Sequence, residues 1–381
     1  YRANMNRFIV KRVRPTAGCE IVSSRHFPPQ AQGNFLLNNV IGFQGILQHT
    51  VKEDGSGYTG TEIEPLLFSS DRNFRPTDLQ FGPDGALYLV DWFNPLVGHM
   101  QHNLRDPNRD HTHGRIWRVT YPSRPLLEPP QIDEQSVPKL LDLLKNHEDR
   151  TRYRVRLELR ERNTDEVLLA LNNWVAALDK SDQEYEHHLL EALWVQQHHN
   201  TVDEELLQRL LRSPNFRARA AATRVLSYWR NQVQNPLALL RTQAADEHPR
   251  VRLETVRACS FLEEAEAAEI ALEILKQPTD YYLNYTLNET IRTLEPYWKP
   301  LVVSGQPFAG DNPDGTRFLL ERLSVRELTQ MARSRPVFLA LLARPGVEKT
   351  FRLEAAAALA QSNGTSTETE IVQAMSRLDE N

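Results

Sequence analysis

The densest set of residues able to do chemistry lies between a strand-like run ending at Val90 and another starting at Ile116. This segment of about 25 residues carries His99, His102, His111 and His113, four of the twelve histidines, together with Arg105, Asp106, Arg109 and Asp110. Hairpin strands are normally joined by about two to five residues, so a connection this long is functional or disordered. Trp92, Phe93, Leu96, Val97 and Met100 argue against disorder, since apolar side chains at this density call for a packed environment. Asp106, Asn108 and Asp110 alternate as a turning loop does when it points oxygen ligands at one calcium ion, although the glycine and the distal glutamate of an EF-hand are missing. His99, His102, His111 and His113 could instead bind a transition metal or contact an anionic ligand. The structural alternative is a plug, in which Arg–Asp pairs and backbone-bonded histidines lock the loop over a sheet face. All three readings stay open.

A second constellation is made of arginines: Arg150, Arg152, Arg154 and Arg156, then Arg217 and Arg219, then Arg250 and Arg252. They recur at a fixed interval and so line up on one surface. They could receive an acidic partner, or form an internal ladder with Asp149, Asp246 and Glu247 at the intervening turns. Trp174, Trp194 and Trp229 read as core packing. The sequence holds no P-loop, no glycine-rich dinucleotide fingerprint, no Gly-x-Ser-x-Gly elbow and no Cys-x-x-Cys-His.

The elements that must position these residues change character along the chain. Residues 1–121 read as strands: Arg7–Val13, Asn34–Val40, Gly45–Val51, Thr77–Phe81, Ala86–Val90 and Ile116–Thr120. Lys52–Gly57 is turn chemistry, and Gly82-Pro83-Asp84-Gly85 folds two strands back on each other. Short antiparallel strands in repeated groups make about two to three propeller blades, too few to close a ring, so further blades are expected before Tyr1. Residues 122–136 form a proline-rich linker, expected to be an extended spacer. From Val137 the apolar spacing becomes helical, over Val137–His147, Asp165–Leu178, Val202–Arg212 and Glu264–Lys276. Thr201 to Glu204 reads as a capping box. Helix starts fall at Arg152, Glu184, Arg217, Arg250 and Tyr282, at steps of 32 or 33 residues, and Thr350 lies 68 further on. Such a period predicts a HEAT-like α-solenoid over 137–361, interrupted by a surface insertion near 296–315 and followed by a polar, fraying tail over 362–381. The fold class is therefore multidomain, β then α: a partial β-propeller followed by a HEAT-like solenoid.

With 381 residues the chain has room for two or three cores. A net charge of −5 supplies no overall positive field for nucleic acid, and no apolar run is long enough to span a bilayer. Cys19 and Cys259 are too few and too distant for a disulfide framework or a metal knuckle. The start at Tyr1, without an initiator Met, reads as a segment of a longer product.

The run Phe74-Arg75-Pro76-Thr77-Asp78-Leu79-Gln80-Phe81-Gly82-Pro83-Asp84-Gly85-Ala86-Leu87-Tyr88-Leu89-Val90-Asp91-Trp92 resembles blades of glucose/sorbosone dehydrogenase-like propellers. With Gly98-His99-Met100-Gln101-His102, the run Arg105 to Arg115 and the helical repeats, the chain is similar to large exported proteins of planctomycetes and verrucomicrobia described as membrane-bound dehydrogenases or haem-binding proteins. The resemblance implies a periplasmic or exported redox protein that oxidises a sugar or alcohol with a quinone cofactor (PQQ) and calcium. Electrons would pass to a cytochrome domain carrying haem c outside this segment. The haem motif and the blades that hold the catalytic histidine are not in this chain, so no catalytic residue is carried over, and the segment alone is expected to be inactive. The loop 91–115 would line the propeller face where substrate or cofactor sits. The rival expectation is a non-catalytic propeller–HEAT scaffold that binds protein or polysaccharide.

Overall fold

A computed structural model describes Ile9 and residues 16–97 and 105–379. Of the strand read over 7–13 only Ile9 is described, in a bend, and His99, Met100 and His102 lie outside the described residues. The chain divides into two compact units, residues 1–213 and 214–381.

The first unit opens with antiparallel strands. Strands β1 (Thr16–Ile21), β2 (Phe35–Asn39), β3 (Gly45–Asp54) and β4 (Gly57–Phe68) pair in sequence order as one four-stranded sheet. Strands β5 (Pro76–Phe81), β6 (Leu87–Asp91) and β7 (Arg115–Val119) form a second sheet of three. The β3–β4 hairpin turns on Gly55 and Ser56, with Gly55 at φ 55°, a left-handed conformation that favours glycine. β4 escapes a reading by alternation because Pro65, Leu66 and Leu67 break it, and a bulge shifts its register between Ile46 and Gln48. Leu36 and Ile46 of the first sheet meet Leu79, Phe81, Leu87 and Leu89 of the second in one core. Burial of each such leucine or isoleucine contributes about 1.5–3 kcal/mol. No closed ring of blades is formed by the described strands.

The proline-rich stretch after β7 lies against these sheets. His26, fully buried, receives the Tyr121 amide on Nε2 at 2.8 Å and donates from Nδ1 to the Pro125 carbonyl at 2.8 Å. The Leu127 amide donates to Asp84 O at 2.9 Å, and Arg124 Nη1 donates to the Arg25 and Phe27 carbonyls.

Helices follow: α1 (Val137–Leu143), α2 (Asp149–Glu161), α3 (Thr164–Ala176), α4 (Tyr185–His198) and α5 (Glu204–Leu211). α1 is shorter than its apolar pattern suggested. The start of α5 is capped by Asp203, whose side chain accepts the Leu206 amide at 2.9 Å, so the capping box placed on Thr201 is not formed. Thr201 donates its hydroxyl to the His199 carbonyl instead. Glu191 of α4 is fully buried and takes both Nη1 bonds of Arg156, at 2.7 and 2.8 Å, with Arg152 and His187 beside it. α2 is also tied to the sheets: Arg25 forks onto Glu148 at 2.7 and 2.8 Å, and Arg150 reaches Glu20 at 2.6 Å.

The second unit is helical throughout its described residues. It contains α6 (Phe216–Trp229), α7 (Pro236–Ala244), α8 (Pro249–Cys259), α9 (Ala265–Leu272), α10 (Tyr281–Thr293), α11 (Glu295–Val303), α12 (Pro313–Leu320), α13 (Val325–Gln330), α14 (Arg335–Ala343), α15 (Lys349–Asn363) and α16 (Thr367–Asp379). α6, α8 and α10 pack in one row, and α7, α9 and α11 in another, each helix resting chiefly on its next and next-but-one neighbours. That is how repeats with one-sided apolar faces bury them. The starts of α6, α8 and α10 lie within one residue of those read from the period.

Two expectations fail here. Most of the stretch 296–315 is not a surface loop: α11 occupies its first part, with Pro296 at a helix start where its missing N–H costs nothing. Trp298 anchors α11, buried with its indole N–H on the Ile291 carbonyl at 2.8 Å. Nor does the polar tail fray. Gly364, at φ 68°, ends α15, and buried Glu370 of α16 accepts from Asn363 and Thr365 at 2.8 and 2.6 Å.

The Arg25 fork holds the Glu148 carboxyl below its usual range, against the opposing effect of burial. A depressed carboxyl stabilises the fold above its unfolded value, and that contribution is lost as pH falls from there through the lower folded value. Glu148→Gln should therefore cost about 1 kcal/mol at pH 7 and converge with the parent below about pH 4. Chemical denaturation at both pH values checks this, and an equal gap at both would refute it.

Candidate functional site

The long loop is rooted on one carboxylate. Asp91 ends β6 opposite Arg115, the first residue of β7, and its side chain is buried. Asp91 Oδ1 accepts the amides of Arg75 at 2.8 Å and Phe93 at 2.9 Å. Asp91 Oδ2 accepts Arg115 Nε at 2.7 Å and Trp117 Nε1 at 3.0 Å. Four donors, one of them cationic, meet the cost of burying this charge. Arg115 also reaches Asp71 at 2.9 Å, and its guanidinium lies 4.2 Å over the Phe93 ring and 5.1 Å from that of Trp117. The Asn73 amide first, and Arg115 after it, hold Asp71 below the usual carboxylate range against a slight desolvation.

Phe93 takes φ 53°, an uncommon conformation for a residue with a side chain. The Asp91 bond to its amide and the Arg115 guanidinium over its ring hold it there. Beyond it, buried Asn94 donates to the Asp110 carbonyl at 3.2 Å and accepts the Leu96 amide at 3.2 Å. Two buried arginines fasten the same stretch: Arg75 Nη2 to the Pro95 carbonyl at 3.0 Å, and Arg109 Nη1 to the Leu96 carbonyl at 3.2 Å. Burial pushes the Arg75 guanidinium below its ordinary value, with Asp91 and Asp71 opposing.

The residues offered as calcium ligands are engaged in turns. Asp106 Oδ1 accepts the Asn108 amide at 2.9 Å and its side-chain nitrogen at 3.0 Å. Asp110 Oδ1 accepts the Thr112 amide at 2.8 Å and the His113 amide at 3.0 Å, while its Oδ2 meets His113 Nδ1 at 2.8 Å. The Thr112 amide is the main reason Asp110 sits well below the usual carboxylate range. Among the described residues no three His, Cys, Asp or Glu side chains gather as metal ligands. Arg109 and His111, with Asn73, Pro95, Asn108, Asp110 and Thr112, line an open depression of about 460 Å³. His113 turns to Asp110 and to the edge of Phe93, 6.0 Å away, and Arg105 is exposed at the loop surface. His99 and His102 are outside the described residues. Asp91, Asp71 and Trp117 were not singled out from the sequence. The one available signal was an acid at a strand end facing an arginine at the next strand's start.

The arginine pairs of the second unit split between two roles. Arg219 forks onto Asp246 at 2.7 and 2.9 Å, and Arg252 donates to the Asp246, Glu247 and Pro278 carbonyls and to Gln277 Oε1, all at 2.8–3.0 Å. These inward arginines close the turns ahead of the following helices, as the ladder reading expected. Arg217, Arg224 and Tyr228 are exposed on α6, whereas Arg250, Leu253 and Arg257 at the equivalent positions of α8 are half-buried and only Phe261, just beyond its end, is exposed. Tyr228, Phe261 and Tyr281 are 56%, 44% and 42% exposed, high for aromatic side chains.

Asp91→Ala should cost about 3 kcal/mol of stability by leaving Arg115, Trp117 and two buried amides short of an acceptor. Denaturant titration measures it, and a loss below about 1 kcal/mol would remove Asp91 as the loop's anchor.

Residues 2–123 match the model of a domain of unknown function (DUF7133). Residues 204–292 match HEAT repeats. A search of curated proteins finds no match. The sheets thus coincide with a family whose role is undefined, and the chain carries HEAT repeats across α5 to α10.

Proposed function

We propose that this chain is a protein-binding scaffold whose HEAT helices present the contact surface. The observation that carries the reading is the set of exposed aromatic side chains on these helices, Tyr228 near the end of α6, Phe261 just past α8 and Tyr281 at the start of α10, together with exposed Arg217 and Arg224 on α6, residue types that dominate interface energetics. The loop supports it from the other side. Its described charges are used to hold its own backbone, as a plug would use them. The two sheets, each a meander of neighbouring strands, are read as closing blades of a β-propeller.

A second reading, ligand binding in an exported redox protein, is favoured by the depression that Arg109 and His111 line. The lining residues offer a tricarboxylated quinone one arginine already engaged with Leu96 and no extended ring to stack on, which is a poor fit. Among the described residues no helix is long and apolar enough to cross a membrane.

A photo-crosslinking amino acid placed at Tyr228 or Phe261 in producing cells should give discrete protein adducts, and one placed at His111 should give none. Adducts absent from both helical positions, together with sugar- or alcohol-dependent dye reduction lost in Arg109→Ala/His111→Ala, would replace the scaffold with the redox reading.

A further inference from the structure

Helices α15 and α16 lie outside the surface assigned to partner binding, and the junction between them has a chemistry of its own. We propose that the Asn363–Gly364 pair is a deamidation site held closed by α16, and that its conversion releases that helix. Asn363 is the last residue of α15 and is exposed, and Gly364 follows it at φ 68°. Glycine has no side chain to shield its backbone nitrogen, so in an Asn–Gly pair that nitrogen reaches the asparagine Cγ more readily than in other pairs. The sequence holds one such pair.

Three features of the folded chain keep the reaction from starting. The Gly364 amide donates to the Ala360 carbonyl, as does the Thr365 amide at 3.0 Å, so the nucleophile is tied into the helix end. Side chains of a helix lean toward its N-terminus, which carries Asn363 Cγ away from the nitrogen that follows it. The carboxamide is also pinned at both ends: Nδ2 donates to Glu370 Oε1 at 2.8 Å, and Oδ1 accepts from Arg335 Nη1 at 2.7 Å. Glu370 is central to this arrangement, because its Oε1 also accepts the Thr365 hydroxyl at 2.6 Å. Glu370 and Ala374 are the only buried residues over 367–376, while Val372 and Met375 are each 61% exposed. A helix docked through so few buried groups belongs to the segments that open before the rest of the fold.

Opening of α16 releases the Asn363 carboxamide and the last turn of α15. The Gly364 nitrogen then bonds to Asn363 Cγ, the Cγ–Nδ2 bond breaks, and ammonia leaves with the displaced proton, closing a five-membered imide. Water adds at either ring carbonyl and reopens the ring to aspartate or isoaspartate, with no electron transfer. The product sets a carboxylate where Nδ2 had donated, against the Glu370 carboxylate, and like charges in a buried setting repel. Docking of α16 is thereby lost, and each conversion is one-way.

The full chain is incubated at neutral pH, and conversion of Asn363 is followed by peptide mass spectrometry beside a synthetic peptide of residues 360–366. Conversion in the folded chain should be about tenfold slower than in the peptide, and Glu370→Ala should speed it about fivefold. Hydrogen exchange reads the consequence. Asn363→Asp should raise exchange across 368–376 about tenfold while leaving α10 unchanged. Asn363→Asp/Glu370→Gln, which removes the facing charge, should restore most of the protection. Unchanged helical circular dichroism and melting show that Glu370→Ala is folded. Should that variant melt early, Thr365→Ala carries the same test with a smaller acceleration. Conversion as fast in the chain as in the peptide, or no acceleration in these variants, overturns the gate. Parental exchange in Asn363→Asp, or equal exchange in the single and double variants, overturns the release.

Discussion

A charge taken out of water is costly unless it is paired, and in this protein such pairings hold the long loop and the turns between several helices. Asp91 gathers two amides, an arginine and an indole, and thereby turns a strand end into the root of a long loop. Arg219, forked onto the Asp246 carboxylate, and Arg252, on the Asp246, Glu247 and Pro278 carbonyls, do the same for the turns between helices, where carbonyls past a helix end have no partner of their own. Glu191, buried among Arg152, Arg156 and His187, repeats the device inside the first unit. Apolar burial supplies most of the stabilisation; these polar anchors decide which arrangement is stabilised.

The anchors also separate structure from surface. An Arg-x-Arg pair at the start of a helix places its two side chains on different faces. Arg219 faces inward, 9% exposed, while Arg217 is exposed. On α6 one short motif thus supplies both an inward anchor and an exposed charge. In the loop the division falls otherwise. Arg75, Arg109 and Asp91 are all drawn inward, leaving His111 and Thr112 beside Asn73 and Asn108 around the open depression.

Much of the helical architecture was legible because its signal is periodic. A step of 32 or 33 residues located α6, α8 and α10 to within one residue, since every repeat must bury the same stripe. The hairpin at Gly82–Gly85 was legible from turn chemistry, and Gly85 does take φ 78°. Where tertiary contacts decide, the sequence was quieter. α11 forms despite Pro300 because Trp298 is buried, and α16 forms in a polar tail because Glu370 finds Asn363 and Thr365. The loop's length and content marked it as built, but Asp91 looks in sequence like any acid at a turn, and its four donors come from three separate stretches of chain.

The division of labour within one arginine pair offers the sharpest test. Arg219→Ala and Arg217→Ala remove the same side chain two residues apart on α6. Measured by chemical denaturation at pH 7, Arg219→Ala should cost about 3 kcal/mol by stripping Asp246 of its fork, and Arg217→Ala no more than about 0.5 kcal/mol. Equal losses would mean that inward anchoring does not hold these turns.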